Sequence, residues 1–597
     1  MVKAVDHPHS VPVQSNTPKV YTKNEKGGID TPEGTLYVSK PFRSGTSKKL
    51  RAMIRFVPRT SHFDTTNVNS GANEFRGFFT LFWISMFLLV VQNYIRSFEV
   101  NGYPIKMAFA QMFSRDAKVL ALSDAVLVLS TGLCVPFSKA IKNGWIRYYS
   151  TGMLIQFIFE ISLLVTTIKW TFNRQWPWVQ SGFLTLHTLV MIMKVHSYTS
   201  INGYLGQVYA QYERTLVVLR ATTNKVGGWD KAVSDARARK ALAGETSSGS
   251  SSPRMTPSLT PQLMPDGTTR SYIDGDVALA LRNRFMSAPQ KSEAESAGSA
   301  PASLSPNVDE TGNKSVDENE PEAHALVDHP DDRVSALAKE LVDMDSELTG
   351  TANTNGKRKV RWPDNITLAN FADYQLIPTL VYELDYPRTE RIRPLYLFEK
   401  TTAFFGTFAL LYTITENFIL PLTPTPDQSF WRSLLDLALP FMVAYLLLFY
   451  IIFECICNAF AELSRFADRQ FYEDWVRFSC CLWNSTSWDE FARKWNKPVH
   501  TFLLRHVYAP TLAHYRFSRT SAMFATFFLS AVAHELVMAV VTKKIRFYLF
   551  TMQLVQIPLI AIGKIPAIKR NKLMGNIVFW VGLYSGFPLL CVAYCAY

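Results

Sequence analysis

The stretch FMVAYLLLFYIIF (Phe441–Phe453) carries no charged residue and sits inside a longer apolar block spanning roughly residues 435–459. The hydrocarbon core of a bilayer is crossed by about 20 mostly apolar residues, so this block has the length and composition of a membrane span. FFTLFWISMFLLVV (Phe78–Val91) reads the same way. Extending the criterion along the chain predicts spans near 77–96, 118–137, 147–168, 178–196, 399–421, 435–459, 520–541, 545–562 and 574–594, about nine in all. Backbone exposed to lipid must satisfy its own hydrogen bonds within the segment, so every span is expected to be a helix. The expected fold class is therefore all-α: a polytopic bundle of about nine transmembrane helices.

The 597-residue average conceals this, because apolar blocks and polar stretches cancel to a mean hydropathy of +0.02. The net charge of +13 raises the question of nucleic acid, but Lys and Arg cluster in tails and loops beside the spans. That is the pattern of membrane topology, and no nucleic-acid partner is expected. The first 75 residues are polar with no secretory signal, so the span near Phe78–Tyr94 is expected to serve as its own insertion signal. Seven cysteines, paired locally at Cys455/Cys457, Cys480/Cys481 and Cys591/Cys595, fit neither a disulfide framework nor a zinc pattern.

Four regions follow from composition. Residues 1–75 read as a disordered cytosolic tail. Residues 76–224 hold the first four spans and a following cytosolic segment. Residues 225–360 include SSGSSSPRMTPSLTPQLMP and SAGSAPASLSP, composition that cannot offset its chain entropy by burial, and read as a disordered cytosolic linker. Residues 361–597 hold five spans and a polar, aromatic loop at 460–518. The tail, the 138–146 turn, the 197–398 segment and the 460–518 loop are basic and fall on one side, expected to be cytosolic. Lys543, Lys544 and Arg546 land on the opposite side, a conflict that a re-entrant or half-buried segment between spans seven and eight would remove. On this orientation the sequons at Asn365-Ile-Thr and Asn484-Ser-Thr stay unused.

Within FFLSAVAHELVMA (Phe527–Ala539), His534 stands mid-span beside Glu535. A charged residue at that depth costs roughly 2.5–3.5 kcal/mol, so ionisable groups there face internal cavities and are functional candidates by default. Low dielectric keeps an imidazole neutral and basic, the form a general base needs to take a proton from an alcohol. The 460–518 loop contributes FYEDW (Phe471–Trp475), WNSTSW (Trp483–Trp488), WNKPVH (Trp495–His500) and LRHVY (Leu504–Tyr508). Tryptophans alone fit an interfacial belt. Asn496, His500, Arg505 and His506 among them add cations and aromatic faces suited to phosphates and a purine base, and Asn496 could donate to a developing oxyanion.

With these motifs the sequence resembles the membrane-bound O-acyltransferases, in particular the sterol O-acyltransferases of fungi, over all the predicted spans. MKVHSY (Met193–Tyr198) looks like that group's MKxHS segment, and PTLVYELDYPR (Pro378–Arg388) like its PTLxYxxxYPR signature. Phe471–Trp475 is similar to the start of FYxDWW, and Trp495-Asn496 and Ser530–Glu535 to the segments carrying the family's Asn and His. The resemblance implies a bundle enclosing an intramembrane reaction chamber. It also implies an enzyme that transfers a fatty acyl group from acyl-CoA to a sterol 3-hydroxyl, making steryl esters for storage. His534 and Asn496 would be catalytic, while Tyr472, Asp474, Arg493, Trp495, His500, Tyr508, Arg519 and Ser530 would bind acyl-CoA. Acyl-CoA is a co-substrate; no cofactor and no metal are expected. The sterol would arrive from the bilayer, among membrane lipids, and the protein would be a homodimer or homotetramer in the endoplasmic reticulum membrane. A diacylglycerol acyltransferase remains the alternative within the class, a transporter or an inactive scaffold outside it. One departure stands out: Val476–Leu482 separates Trp475 from Trp483, and deleting those seven residues would restore FYEDWWNSTSW. A splicing artefact and a real loop insertion both account for it.

Overall fold

In the computed structural model, the described residues are 76–247, 322–350, 360–424, 428–472, 488–513, 517–563 and 572–596, with short pieces within 29–61 and residues 64 and 565. The architecture is helical. Strands β1 (Ile29–Thr31), β2 (Gly34–Val38), β3 (Phe42–Ser44), β4 (Ser47–Lys49) and β5 (Ala52–Ile54) form only two small antiparallel sheets, β1-β2-β5 and β3-β4.

Helix α1 (Arg76–Asn101) is followed by a bent apolar unit of α2 (Met107–Ser114), α3 (Ala117–Thr131) and α4 (Cys134–Lys142). A π-turn at Tyr148–Gly152 leads into α5 (Met153–Asn173). The α2–α3 and α5–α6 turns are tied together: Asp116 accepts from Arg174 and from the Trp176 indole, each at 3.1 Å. Gln180 donates to the carbonyls of Met112, Phe113 and Arg115 at 3.0–3.1 Å, satisfying orphan acceptors at the end of α2.

Helix α6 (Trp178–Lys225) is 48 residues long. At 1.5 Å per residue it extends about 72 Å, more than twice the roughly 30 Å hydrocarbon thickness, so it runs out of the bilayer. Gly203 lets it meet the α5 entry: a Cβ there would stand 2.2 Å from the Tyr148 ring. The far end of α6 is covered by α7 (Trp229–Ser247), a 3-10 turn at Glu322–Asp328 and α8 (Asp332–Leu348). This corrects the expectation of disorder across 225–360 for residues 225–247 and 322–350. Val334, Ala338, Leu341 and Leu348 share one buried face of α8 and join Leu219, Ala232 and Leu326 in the main core. Asp331 caps α8 by accepting from the Arg333 and Val334 N–H groups. Residues 248–321, with the Ser/Pro-rich runs, lie outside the described residues.

Helix α9 (Leu368–Leu376) precedes the PTLVYELDYPR loop. Then come α10 (Pro394–Ile414, extended by π and 3-10 turns to Leu422) and α11 (Phe430–Phe449), which continues through a π-turn at Tyr450–Ile456 into α12 (Cys457–Leu463). Short helices α13 (Trp488–Lys494), α14 (Lys497–Leu503) and α15 (Ala509–Ala513) lead to α16 (Arg519–Thr542), α17 (Tyr548–Gly563) and α18 (Lys572–Ala596).

Among the described residues, six helical units are long and apolar enough to cross a membrane: Met107–Lys142, Tyr148–Asn173, Pro394–Leu422, Phe430–Leu463, Arg519–Thr542 and Met574–Cys595. The other three expected spans correspond to α1, to the first part of α6, and to α17, whose 16 residues are short. Sixteen residues reach about 24 Å against a roughly 30 Å core. A short α17 is where the misplaced cations Lys543, Lys544 and Arg546 are found, just ahead of its first turn.

Residues 56–61 and 64, within the stretch expected to be a disordered tail, are ordered against the helices. Arg59 pairs with Asp468 at 2.7 Å and exchanges backbone hydrogen bonds with Ala467 and Arg469. Ser61 donates to Glu454 at 2.7 Å, and Asp64 meets Arg393 at 2.9 Å. The buried carboxylates of Asp468 and Glu454, with the Arg393 guanidinium, hold these residues as a strap. Asn365 of the first sequon is buried, donating to Asn202 and Tyr382, each at 2.9 Å.

Candidate active site

His534 lies on α16 at an exposed position, one turn beyond Ser530. Its Nδ1 is 2.7 Å from the Ser530 carbonyl oxygen. A carbonyl only accepts, so Nδ1 carries the proton, and in the neutral ring Nε2 holds the basic lone pair. The Ser530 hydroxyl stands 3.4 Å from the same Nδ1, with the Gln553 amide of α17 3.4 Å away on its other side. Gln556 donates to Gln553 at 2.8 Å, so the His534 edge of α16 looks along a polar stripe of the next helix.

Glu535 points elsewhere. Its buried carboxylate accepts from the backbone N–H groups of Arg546 (3.2 Å), Phe547 (2.7 Å) and Phe550 (3.1 Å) and from the Tyr594 hydroxyl (2.8 Å). It closes the α16–α17 turn, where Lys543 and Phe547 both have positive φ, and joins it to α18. With four donors on two oxygens, this carboxylate is a structural clamp.

Asn496 caps α14: its Oδ1 accepts from Val499 N–H at 3.2 Å. Among the described residues its Nδ2 has no partner, and no hydrogen bond joins it to His534. Pro498 follows within the first turn, where a missing N–H costs nothing. Trp495, just ahead, is a packing residue, its ring 4.0 Å from Phe449, 5.0 Å from Tyr445 and 5.0 Å from Phe491. Arg493 lies in the last turn of α13, His500 in the last turn of α14, and Tyr508 ends the π-turn Leu504–Tyr508 that carries α14 into α15. Burial pushes the Tyr508 phenol above its ordinary value, with Arg519 at the head of α16 pulling it back. The structure thus gathers Trp495, Asn496, His500 and Tyr508 on one helical run and brings Arg519 to its far end. Ser530 and His534 stand together on α16.

Tyr472 belongs to a different cluster. Its hydroxyl donates at 3.2 Å to Glu454, which also receives Lys400 at 2.8 Å and Asn458 at 3.3 Å, all of them buried. Asp474 and Val476–Leu482 lie outside the described residues. Sequence reasoning missed the Lys400–Glu454 pair and the set formed by Gln156, Glu160 and His196, in which Gln156 donates to Glu160 at 2.8 Å and approaches His196 at 3.0 Å. The signal was available: each is a polar group inside an apolar helix, the same feature that singled out His534.

The remaining motifs act on the loop between α9 and α10. Lys194 donates to the carbonyls of Tyr374, Gln375 and Ile377 at 2.8–3.1 Å, terminating α9. The Ser197 hydroxyl accepts the Tyr382 N–H at 2.8 Å, and Tyr198 packs on Phe371 and Tyr382 at 4.9 and 4.8 Å. Arg388 reaches back to Asp373.

A helical membrane bundle with a mid-span imidazole and an Asn-headed helix in its polar loop defines a class, and the comparison with known families names it: the membrane-bound O-acyltransferase model matches residues 165–596, and the chain belongs to that family. It is a multi-pass membrane O-acyltransferase. Among its relatives, the probable sterol O-acyltransferase 1 of Schizosaccharomyces pombe is 31% identical over 90% of this chain and 86% of its own length. The sterol O-acyltransferase 2 of Candida albicans is 32% identical, covering 87% and 75%. Diacylglycerol O-acyltransferase 1 of Dictyostelium discoideum is 34% identical over 39% of this chain and 37% of that protein.

Proposed function

We propose that this enzyme transfers a long-chain acyl group from acyl-CoA to the 3-hydroxyl of a sterol, forming steryl esters for storage, in the endoplasmic reticulum membrane. The observation that carries the chemistry is the 2.7 Å bond from His534 Nδ1–H to the Ser530 carbonyl, which leaves Nε2 as the base. Nε2 takes the hydroxyl proton as the sterol oxygen attacks the thioester carbon. The Asn496 Nδ2 amide donates to the oxyanion that forms. Collapse of the tetrahedral intermediate breaks the C–S bond, and the imidazolium returns its proton to the departing thiolate. No acyl-enzyme is required.

Arg493, His500, Tyr508 and Arg519 supply cations and donors around the Asn496 helix for the phosphates of CoA. A Tyr508 phenol held protonated by burial donates rather than repels. Tyr472 and Trp495 both pack on Phe449, at 5.2 and 4.0 Å. The sterol acceptor is favoured by relatives bearing that name, matched over 86% and 75% of their own length. Assembly into a homodimer or homotetramer is part of the same proposal. Microsomes containing the protein, given labelled oleoyl-CoA with either sterol or diacylglycerol, are expected to yield steryl ester that vanishes in His534→Ala at equal expression. Labelled triacylglycerol in its place moves the acceptor to diacylglycerol.

A further inference from the structure

The helical run that starts at Asn496 is held at its middle by two adjacent side chains that point to different partners. Arg505, 2% exposed in its side chain, forms an ion pair with Glu383 of the α9–α10 loop and lies 3.4 Å from the Tyr382 carbonyl. His506 turns instead to α6, with Nε2 2.8 Å from the Ser197 hydroxyl and Nδ1 3.3 Å from the Ser200 hydroxyl. Both sit in the π-turn Leu504–Tyr508, where successive side chains leave the axis in different directions and reach separate anchors.

The hydrogen bonds have a direction. The Ser200 hydroxyl has one hydrogen; with it on the Ser197 carbonyl at 3.2 Å, the hydroxyl accepts at His506 and Nδ1 carries the proton. In the neutral ring Nε2 then accepts the Ser197 O–H, while Ser197 Oγ accepts the Tyr382 N–H at 2.8 Å. The chain runs from Tyr382 N–H through Ser197 to the imidazole, and from the imidazole through Ser200 back to α6. The ring is further confined by Phe502 at 5.0 Å and, perpendicular to it, His196 at 5.3 Å.

We propose that His506 is a positioning residue: through Ser197 and Ser200 it locks the run 497–513 to α6 and to the 378–388 loop, and so fixes where Asn496, at the head of that run, presents its amide. This rests on the oxyanion role proposed for Asn496. It also assigns a task to the serine of MKVHSY, which touches His506 rather than the reacting groups.

The test compares His506→Leu, which keeps bulk and loses the bonds to both serines, with His506→Gln, which can still accept from Ser197, and Ser200→Ala, which removes the Nδ1 acceptor along with its local bond to the Ser197 carbonyl. Purified full-length enzyme is assayed with oleoyl-CoA and sterol, and each change is repeated on an Asn496→Ala background. In His506→Leu, kcat is expected to fall about 10- to 100-fold, the scale of a misplaced catalytic group, with a rise in KM for oleoyl-CoA beside it because His500 and Tyr508 lie on the same run. His506→Gln recovers most of the loss, and Ser200→Ala gives a smaller fall in kcat. On Asn496→Ala neither His506→Leu nor Ser200→Ala costs anything further in kcat, since a group already absent cannot be misplaced. Additive losses in the double variants, a change in KM instead of kcat, or a glutamine variant as poor as the leucine variant overturns the proposal. If His506→Leu does not fold, the Ser200→Ala pair decides on the same criteria. An Asn496→Ala enzyme with undiminished activity refutes the role of Asn496 itself, independently of His506.

Discussion

His534 and Asn496 each make one bond that can be separated from the chemistry assigned to them. Because the imidazole is oriented by the Ser530 backbone carbonyl, the Ser530 hydroxyl at 3.4 Å is nearly dispensable. Ser530→Ala is expected to lose less than about tenfold in kcat, within the range of one neutral hydrogen bond. His534→Ala removes the base and is expected to lose at least about 100-fold. Asn496 both caps α14 through Oδ1 and offers Nδ2 to the reaction. Asn496→Asp keeps a good N-cap and deletes the donor, so folding should survive while kcat falls about 100- to 1,000-fold. Thermal melting beside turnover in the same detergent preparation checks all three. An active aspartate variant would count against the oxyanion role.

Helices here are joined through polar groups buried in pairs. Lys400 on α10 and Glu454 on the α11 π-turn are each 1% exposed and 2.8 Å apart. Removing one partner of such a pair typically costs about 3–5 kcal/mol, because the other charge stays buried without it. Lys400→Ala is therefore expected to lower the melting temperature sharply, and Lys400→Met combined with Glu454→Gln to recover much of the loss. The same cluster bears on Val476–Leu482. Tyr472 is seated on Glu454, and Trp495 on Tyr445 and Phe449, by contacts that involve none of the seven residues. Deleting Val476–Leu482 should leave both contacts intact and give esterification at least equal to that of the full chain in the microsomal assay.

Across the molecule, a membrane bundle carries a helical cap on the far end of α6, and the strap made by 56–61 and 64 is tied to Asp468, Glu454 and Arg393. The cap closes on itself: α7 and the 3-10 turn at Glu322–Asp328 both pack beside α6, on either side of the polar stretch 248–321. Replacing residues 253–317 by a short Gly/Ser linker should leave esterification unchanged. Truncation through residue 65, which removes the partners of Asp468, Glu454 and Arg393, should instead reduce the amount of folded enzyme in membranes.

What was legible in the residues alone followed from local properties. Apolar length marked α5, α10, α11, α16 and α18 as spans, and a polar residue in an apolar run marked His534. Those signals need no partner to be read. The helices in 225–247 and 322–350 were not recognised, because low-complexity neighbours masked the short apolar stripe of α8, and that stripe is stable only against α6. The tautomer of His534, the cap made by Asn496, the clamp of Glu535 and the bond from His506 to a serine 309 positions away were decided by packing. Hydrogen bonds across such separations exist only once helices have chosen their neighbours. A list of residue types carries the donors and acceptors, but not which of them will meet.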